Sequence, residues 1–594
     1  MDRVTRHTLC AALLLGLSAC GTEPVEQSDA EWDAIPTGKA DGAIDPASDE
    51  AAAVLLLVND PAVDVGELDD DARLDARAAR NIIEHRDGDD GIAGTDDDDA
   101  IDSIEELDGI GYVGPRAFGR LIEYAVAQGY LAQVEGADDD VMTDVIFSPQ
   151  PTEATHNIRV AELIDQAQTS IDIAMYSYSN GTVRAALEAA AARGVEIRFL
   201  FETASDDRRL EGDERFDSKS GRLEAVGIDV RWVNKIMHHK YMIIDGPRAD
   251  LDKAATATIA SGSANWSNSA GTRYDENTLF LRGHEELALR MQAEFNHLWE
   301  HSRKFNANDD IVFTASEISI ADEDIVDGPD THAYFTSENF DISPGDDTFR
   351  KNGGNEVSDA LIDAIDGATG SIHVASGHLR HRGISEAIMA KKAADPDLDI
   401  KVYLDAQEYI SLTTHNIQLD NLDACLEEAN TETQTRNCMD RGFRFGFQMG
   451  ESGVDVRYKW YSYRWHYSYA AQMHHKYILI DGDELWTGSY NLSDNAEHNT
   501  FENMLVFTGD DYADLVADYE ENFESMWETG RADDLLSGVR DAVANDDVIP
   551  LVFDSMALEH EEVRQLKSLI VANCPDVNTT PFRQNPQAHL VCHR

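Results

Sequence analysis

The hydrophobic pattern alternates between helix-like and strand-like segments along most of the chain. In the first half, apolar residues recur at helical spacing over 158–168 and 183–193, while short apolar runs at 170–176 and 195–201 are typical of buried strands. The second half repeats this order, with helices at 357–365 and 385–392 and strands at 371–376 and 399–404. The pattern therefore predicts an α/β fold that is built twice.

The chain before residue 150 follows a different pattern. Residues 21–50 are polar without an apolar period, which predicts a flexible linker. Residues 51–135 predict a small all-α module with helices near 76–85 and 116–127. The predicted domains are a leader at 1–20, the linker at 21–50, the all-α module at 51–135, a first α/β half at 151–330, a second at 331–548 and a C-terminal extension at 549–594.

A Gly-Ile-Gly turn, Gly109 to Gly111, precedes the last helix of the all-α module. The module resembles the helix-hairpin-helix fold, with Arg73 to Asp75 where the first hairpin would have its glycines. Such turns often bind a DNA phosphate through backbone N–H groups. Residues 51–130 carry 20 Asp and Glu against 6 Arg and no Lys, and this acidity favours a structural or protein-binding role.

The whole chain is strongly acidic. Its 594 residues include 113 Asp and Glu against 48 Lys and Arg, a formal net charge of −65. This excess repels nucleic acid and anionic lipid at long range but is compatible with a local basic pocket. High solubility or a salty habitat is the plainer explanation of the total charge.

The first 20 residues have the layout of an export signal. Arg3 and Arg6 precede an apolar run over 9–17 that is too short to span a bilayer. The run ends in Leu-Ser-Ala-Cys, which resembles a bacterial lipobox and implies that Cys20 becomes a lipid-modified first residue. We expect an exported protein that is lipid-anchored to the cell envelope, with Gly21 favouring the outer membrane, or a secreted one. The alternative is a cytosolic leader with a chance cysteine.

Four cysteines outside the leader fall into two local pairs. An oxidising compartment would favour the disulfide bonds Cys425–Cys438 and Cys574–Cys592, and the alternative is four buried or free thiols. The sequence has no Cys-x-x-Cys pair, so we expect no structural zinc site.

One ten-residue sequence, Met-His-His-Lys-Tyr-x-x-x-Asp-Gly, begins at residue 237 and again at residue 473. Each copy is followed by a Gly-Ser-x-Asn tetrad and, eleven residues after its Asn, by Glu-Asn. The repeated residues are His238, Lys240, Asp245, Ser263, Asn265 and Glu276 in the first copy and His474, Lys476, Asp481, Ser489, Asn491 and Glu502 in the second. A His, Lys, Asn and Glu set that occurs twice predicts two halves of one catalytic site.

The paired motifs resemble those of the phospholipase D superfamily, whose mark is H-x-K-x(4)-D followed by G-S-x-N. The match extends over roughly residues 151–530, and a paired match of this length is specific. The resemblance implies two α/β/α domains that form a pseudo-symmetric pair. It also implies phosphodiester chemistry through a phosphohistidine, without a metal or other cofactor.

The resemblance implies a role for each repeated residue. His238 would attack phosphorus, and His474 would protonate the leaving group and then activate water. Glu276 and Glu502 would each accept a hydrogen bond from the far ring nitrogen of a histidine.

The other repeated residues would surround the phosphoryl group. Lys240 and Lys476 would supply positive charge, and Asn265 and Asn491 would donate hydrogen bonds to the same oxygens. The supporting residues would be Ser263 and Ser489, beside that shell, and Asp245 and Asp481, as structural anchors at strand ends. The first copy has ten extra residues between its His and its Ser, around 247–258, where we expect a hairpin extension.

The segment 457–469 gives the main indication of the substrate class. It interleaves seven aromatic residues with Arg457, Lys459 and Arg464. This composition fits a surface for phospholipid, an alternating edge strand, or a stacking platform for single-stranded nucleic acid. Further candidates for the wall of the pocket follow the first strand of each half: Tyr176, Tyr178, His378, Arg380 and His381.

The predicted lipid anchor and the overall acidity favour a phospholipid substrate and a membrane surface as partner. The expected reaction is hydrolysis or transfer of the headgroup to give phosphatidic acid. One alternative is a metal-independent nuclease of the same superfamily, for which the all-α module is the main evidence. The other is a non-catalytic envelope lipoprotein that binds a partner through residues 51–130.

Overall fold

A computed structural model divides the chain into two compact units, Ala34–Met142 and a larger one that contains Thr143–Arg594. The structure describes residues 49–88, 95, 100–101, 103–128, 130, 141–305, 320–321, 324–325, 328, 330–439, 441–531, 535–545 and 547–592. The predicted leader, its Cys20 and most of the predicted linker lie outside these residues. In the described part of the chain, no helix combines the length and apolar character that crossing a membrane requires.

The smaller unit is all-α. Its helices are Asp49–Asn59, Glu67–Asp71, Ala76–Arg86, Ile104–Gly109 and Pro115–Ala127. Asp75 and Ser103 start two of these helices by accepting backbone N–H groups of the first turn. Arg73 and Tyr112 have positive φ, 58° and 77°, in the short turns between helices. The likeness to a helix-hairpin-helix stays a prediction.

The first α/β half is built on a mixed eight-stranded sheet. In spatial order its strands are Met142–Ser148, Glu276–Arg282, Thr258–Gly262, Lys240–Ile244, Ser170–Met175, Glu196–Phe201, Asp229–Trp232 and Arg303–Lys304. Its helices are His156–Gln166, Gly181–Arg193, Ala204–Asp207, Asp213–Phe216, Lys219–Ala225, Asn268–Thr272 and Glu285–Glu300. Two consecutive strand pairs are parallel and the pairs around them are antiparallel.

The second half repeats this sheet with the same order of parallel and antiparallel pairs. Its strands, in spatial order, are Thr331–Phe335, Asn503–Thr508, Glu484–Gly488, Lys476–Ile480, Ser371–Ser376, Asp399–Asp405, Asp455–Ser462 and Val552–Glu559. Its helices are Glu356–Gly367, Arg382–Ala394, Leu412–Glu428, Glu432–Met439, Gly446–Glu451, Asp494–Asn499, Ala513–Trp527, Leu535–Ala544, His560–Asn573 and Thr580–Arg583. The predicted α/β fold built twice is thereby confirmed.

The two halves share one hydrophobic core. Tyr241 and Phe295 of the first half lie in the same buried cluster as Tyr477 and Phe523 of the second. Each half contributes a stacked Phe–Trp pair to it, at 5.6 Å and 5.7 Å between ring centroids. Full burial of each such side chain stabilises the fold by roughly 1.5–3 kcal/mol, so the shared core contributes to the stability of both halves.

Three local expectations are wrong. The insertion after the first motif is a short 3-10 helix, Leu251–Thr256, and not a hairpin, because Ala254 is buried and Arg248 reaches back to Asp172. The boundary at 549 cuts off Val552–Glu559, which is the last strand of the second sheet. The predicted boundary at 151 likewise leaves out Met142–Ser148, which is a strand of the first sheet.

The disulfide bonds Cys425–Cys438 and Cys574–Cys592 have the pairing that the sequence predicts.

Candidate active site

The strands that begin at Lys240 and Lys476 run antiparallel to the first parallel strand of their sheet. Lys240 lies opposite Met175 and Lys476 opposite Ser376, the last residues of those parallel strands. The His and Lys of both motifs therefore lie at the carboxyl edge of the parallel strands, where α/β folds form their sites.

Asp245 and Asp481 lie at the opposite end of those strands, about 17 Å from the lysines at roughly 3.3 Å per residue. Both have positive φ, 50° and 56°. Asp245 accepts the backbone N–H of Thr169 at 2.6 Å, and Asp481 accepts that of Thr369 at 2.8 Å. These carboxylates fix the starts of the neighbouring parallel strands and are too far from the lysines to take part in chemistry there.

The Gly-Ser-x-Asn tetrads pack tightly against the strands that carry Glu-Asn. A Cβ on Gly262 would lie 2.2 Å from the carbonyl oxygen of Asn277, and Gly488 has the same close contact at 2.3 Å, so only glycine fits. The Ser263 hydroxyl accepts the backbone N–H of Asn277 at 2.9 Å, as Ser489 does from its counterpart at 3.0 Å. The longer insertion thus leaves Ser263 placed like Ser489.

Backbone hydrogen bonds hold the first histidine of each motif against the other half. The N–H of His238 donates to the carbonyl of Phe501 at 3.1 Å, and that of His474 donates to the carbonyl of Asp275 at 3.0 Å. Each acceptor directly precedes the repeated glutamate of its half, so the two halves build the site together.

Each glutamate faces the histidine of the other half. Nδ1 of His238 lies 2.8 Å from Oε2 of Glu502, and Nδ1 of His474 lies 2.7 Å from Oε1 of Glu276. An ionised carboxylate at Nδ1 keeps a proton there and leaves Nε2 for chemistry. The sequence predicted a glutamate for each histidine. The structure shows that each histidine contacts the glutamate of the other half.

Burial raises the pKa of Glu276 and Glu502 to about 7, against the opposing influence of Lys476 and Lys240 respectively. Burial also lowers the pKa of His238 well below 6.5, and both lysines reinforce this effect. Each glutamate therefore exchanges a proton near neutrality.

The lysines and asparagines supply positive charge and hydrogen-bond donors. Lys240 Nζ lies 2.9 Å from the carbonyl oxygen and 3.2 Å from Nε2 of the histidine two residues earlier, and Lys476 Nζ donates to the equivalent carbonyl at 2.5 Å. Asn265 and Asn491 are buried at the ends of their tetrads. Fixed donors of this kind stabilise charge on phosphoryl oxygens.

Asn277 and Asn503 bind across the halves, a role that the sequence did not reveal. Asn277 Nδ2 donates to the Tyr519 hydroxyl at 2.7 Å, and its Oδ1 lies 3.0 Å from Nδ1 of His475. Asn503 Nδ2 donates to the Ser261 hydroxyl at 3.1 Å. The recurrence of Asn after each Glu was the available signal.

Two further carboxylates support the motifs. Glu202 accepts the backbone N–H of Met237 at 2.7 Å, and Asp405 accepts that of Met473 at 3.0 Å. Burial raises their pKa to about 7 and about 6 respectively. Glu202 directly follows the second parallel strand of its half and Asp405 ends the equivalent strand, so an alignment of the two halves would have found them.

The five candidates for the pocket wall have different positions. The ring centroid of Tyr176 lies 4.7 Å from that of His238. Tyr178 is wrong as a pocket residue because it is fully buried in the core. His381 caps a helix by accepting the N–H of its first turn. His378 and Arg380 share one carboxylate near the second motif.

The segment 457–469 is mostly internal. Asp455–Ser462 is a buried central strand. Lys459 Nζ lies 2.6 Å from Asp275 of the other half, and Arg457 and Arg464 donate to backbone carbonyl groups. The expectation that these cations bind lipid phosphate is wrong for Lys459, because its charge is paired inside the protein.

The end of this segment is exposed beside the second motif. Trp465 and Tyr467 are 37% and 44% exposed. Arg273 donates to the carbonyl of Ser468 at 2.9 Å. The ring centroid of the next residue, Tyr274, lies 6.5 Å from that of His474. The exposed rings therefore lie on a loop close to the site.

A group with metal-ligating chemistry lies elsewhere. His373, Glu520 and Glu524 bring their ligand atoms within 4.8 Å of one another. Lys401 Nζ lies 2.6 Å from Glu524 and 3.5 Å from Asp399, so a lysine already supplies the cation of this cluster. We interpret it as an ion-pair network.

The fold consists of two similar α/β halves, and the two copies of the His, Lys, Asn and Glu motif together form one site. The chain matches the family described as "Cardiolipin synthase, PLD-like domain" over residues 160–299 and 361–527, about half its length. It belongs to the phospholipase D superfamily.

Individual relatives cover smaller parts of the chain. A mitochondrial cardiolipin hydrolase of Danio rerio is 31% identical over 151 residues, 25% of this chain and 59% of the relative. A probable cardiolipin synthase, YwiE, of Bacillus subtilis is 40% identical over 100 residues, 16% of this chain and 19% of the relative. The solved phospholipase D family member Nuc from Salmonella typhimurium is 26% identical, with 28% of this chain and 97% of that one covered and a TM-score of 0.23.

Proposed function

We propose that the protein is a phospholipase D-type phosphodiesterase that hydrolyses or transfers the headgroup of phospholipids and yields phosphatidic acid. The exchanged histidine–glutamate pairs support this proposal most directly. Each carboxylate, when ionised, favours a proton on the Nδ1 atom of His238 or His474, and the lysines would offset phosphate charge. Lys476 is near enough to His238 to lower its pKa, which fits one joint site.

In the proposed reaction, Nε2 of His238 attacks phosphorus. The bond from phosphorus to the headgroup oxygen breaks, and His474 gives its proton to that oxygen. In the second step, a water molecule loses a proton to His474, its oxygen bonds phosphorus, and the P–N bond breaks. His238 is 5% exposed and held neutral by burial, which suits the nucleophile.

Phospholipid is favoured over nucleic acid as the substrate. Two of the relatives are named for cardiolipin. The exposed Trp465 and Tyr467 provide amphipathic rings beside the site, whereas Lys459 is paired internally and cannot follow a nucleic-acid backbone. We further propose that Cys20 anchors the exported chain to the cell envelope.

The test uses residues 21–594 in EDTA with phosphatidylcholine vesicles plus ethanol and, separately, with single-stranded DNA. We expect phosphatidylethanol from the wild type, none from His474→Ala, and unchanged product from His332→Ala, a matched control at a half-exposed strand. DNA cleavage without lipid turnover would support the nuclease alternative, and turnover of neither substrate would support a binding lipoprotein.

A further inference from the structure

A cationic cluster borders the site on the side of the second motif. His378 Nδ1 lies 3.2 Å from Oε1 of Glu408, and Arg380 donates to the same oxygen from Nε at 2.9 Å and from Nη2 at 2.5 Å. Arg444 is near enough to interact electrostatically with Glu408 and Arg380, and among the residues that the structure describes it forms no ion pair within 4.0 Å. The proposed mechanism uses none of these groups.

Backbone contacts place this cluster against the catalytic residues. A Cβ on Gly377 would lie 3.7 Å from Cα of His474. His378 is the next residue in the chain, so its backbone is close to the second motif. The N–H of Arg380 donates at 2.7 Å to the carbonyl of Leu492, the residue after the tetrad asparagine.

A third backbone contact brings in Arg444. The N–H of Phe445 donates to the carbonyl of Leu379 at 3.4 Å, which aligns Arg444 with the segment that carries His378 and Arg380. With Glu408, the cluster is therefore assembled from three chain segments beside the second motif.

The cluster has more positive than negative charge. Burial alone would raise the pKa of Glu408, but Arg380 and His378 hold it far below its usual value, so the carboxylate is ionised. One carboxylate thus faces two guanidinium groups. Burial lowers the pKa of Arg444 against the opposing influence of Glu408. A bound anion would offset the cost of this half-buried charge.

The first half lacks this cluster. Its serines Ser177 and Ser179 occupy the positions equivalent to His378 and Arg380, since Tyr178 and Leu379 make the same bridge in their halves. The cluster is thus an addition to one side of a duplicated site, on the side of His474. In the proposed mechanism that is the side where the headgroup departs.

We propose that His378, Arg380 and Arg444 form a subsite for a second phosphate carried by the departing headgroup. The proposal rests on the proposed function and narrows its substrate class to phospholipids with a phosphorylated headgroup. Arginine suits this task because its planar fork pairs with two phosphate oxygens at once.

The test compares phosphatidylinositol 4-phosphate with phosphatidylinositol in mixed micelles, since the two differ only in the second phosphate. We expect wild-type kcat/KM to be about tenfold higher for the phosphorylated lipid, as expected for a charge-assisted contact. Arg444→Gln should remove most of that preference and Arg444→Lys should retain part of it. Arg441→Gln, at an exposed arginine three residues away, should keep it.

Two further measurements separate the outcomes. Inositol 1,4-bisphosphate should bind more tightly than inositol 1-phosphate by calorimetry, and Arg444→Gln should abolish the difference. That difference without any lipid turnover would overturn the proposed function and leave the subsite standing. Turnover with no preference would overturn the subsite, and inhibition by inorganic phosphate without a lipid preference would assign the cluster to free phosphate instead.

The thermal stability of Arg444→Gln distinguishes a binding role of Arg444 from a structural one. Arg444→Gln removes a half-buried charge that has no carboxylate partner in the described chain, so its Tm should equal or exceed that of the wild type. A clear loss of Tm together with an unchanged lipid preference would overturn the proposal.

Discussion

Nδ1 of His238 lies 2.8 Å from Oε2 of Glu502, although the two residues belong to different halves of the chain. The reciprocal pair, His474 and Glu276, is separated by 2.7 Å. Neither half therefore contains both members of a histidine–glutamate pair. Asn277 and Asn503 also form hydrogen bonds across the halves.

The first prediction concerns these glutamates. Glu502→Gln and Glu276→Gln should each lower kcat/KM by about 10–100-fold, because an orienting partner of an imidazole contributes on that scale. Glu188→Gln, at a surface ion pair on a helix, should leave kcat/KM unchanged. Equal activity of Glu502→Gln and the wild type would show that the exchange has no catalytic role.

The second prediction is a bell-shaped pH profile with both limbs near neutrality. The pKa of Glu502 is raised to about 7, so as the pH falls through 7 its pair takes up a proton and His238 loses its nucleophilic form. The pKa of Glu276 is also about 7, so as the pH rises its pair loses the proton that His474 must donate. The measurement is kcat/KM from pH 5 to 9.

The glutamine variants assign the two limbs. Glu502→Gln cannot take up the shared proton, so its acid limb should move to lower pH, toward the depressed pKa of His238. Glu276→Gln should instead move the alkaline limb. Identical shifts in both variants would contradict the assignment of His238 as nucleophile and His474 as acid.

The third prediction concerns stability. The buried carboxylate of Asp172 pairs with Arg198 at 2.6 Å and with Arg248 of the insertion, and against the cost of burial the two arginines hold its pKa near 2. Asp172→Ala would leave Arg198 with the side-chain oxygen of Asn296 and Arg248 with the exposed Glu196 in place of a buried carboxylate, which costs about 3–5 kcal/mol. Urea unfolding should show this loss, while Asp165→Ala, at an exposed pair 3.7 Å from Arg193, should change stability by about 0.5 kcal/mol or less.

Most of the fold could be predicted because its signals are local. The strand Ser371–Ser376 has the predicted bounds, and the helix Glu356–Gly367 extends its prediction by only a few residues, since both have a clear apolar period. The strand Val552–Glu559 was missed because its place depends on pairing with Asp455–Ser462, far away in the sequence.

The residues of the candidate site could also be predicted from the sequence, but their pairing could not. Repetition identified the histidines, lysines, asparagines and glutamates, but pairing between halves depends on the tertiary arrangement, so the exchange of Glu276 and Glu502 could not be read from spacing. The aromatic segment shows the same limit. Its composition is uniform, yet Tyr458 is buried whereas Tyr467 is exposed, because a strand becomes a loop between them.

The last prediction tests the exposed loop as a lipid contact. Trp465→Ala should weaken binding to phosphatidylcholine vesicles by about tenfold, since burying one large aromatic ring in the headgroup region contributes roughly 1.5–3 kcal/mol. Turnover of a soluble short-chain substrate should stay at the wild-type level, because Trp465 lies outside the proposed catalytic groups. Vesicle sedimentation measures the first effect, and Leu210→Ala, at another exposed apolar residue, serves as control. Apolar binding should vary little with salt, so a steep loss of binding between 50 and 200 mM salt, as for nucleic acid or anionic lipid, would contradict this role of the loop.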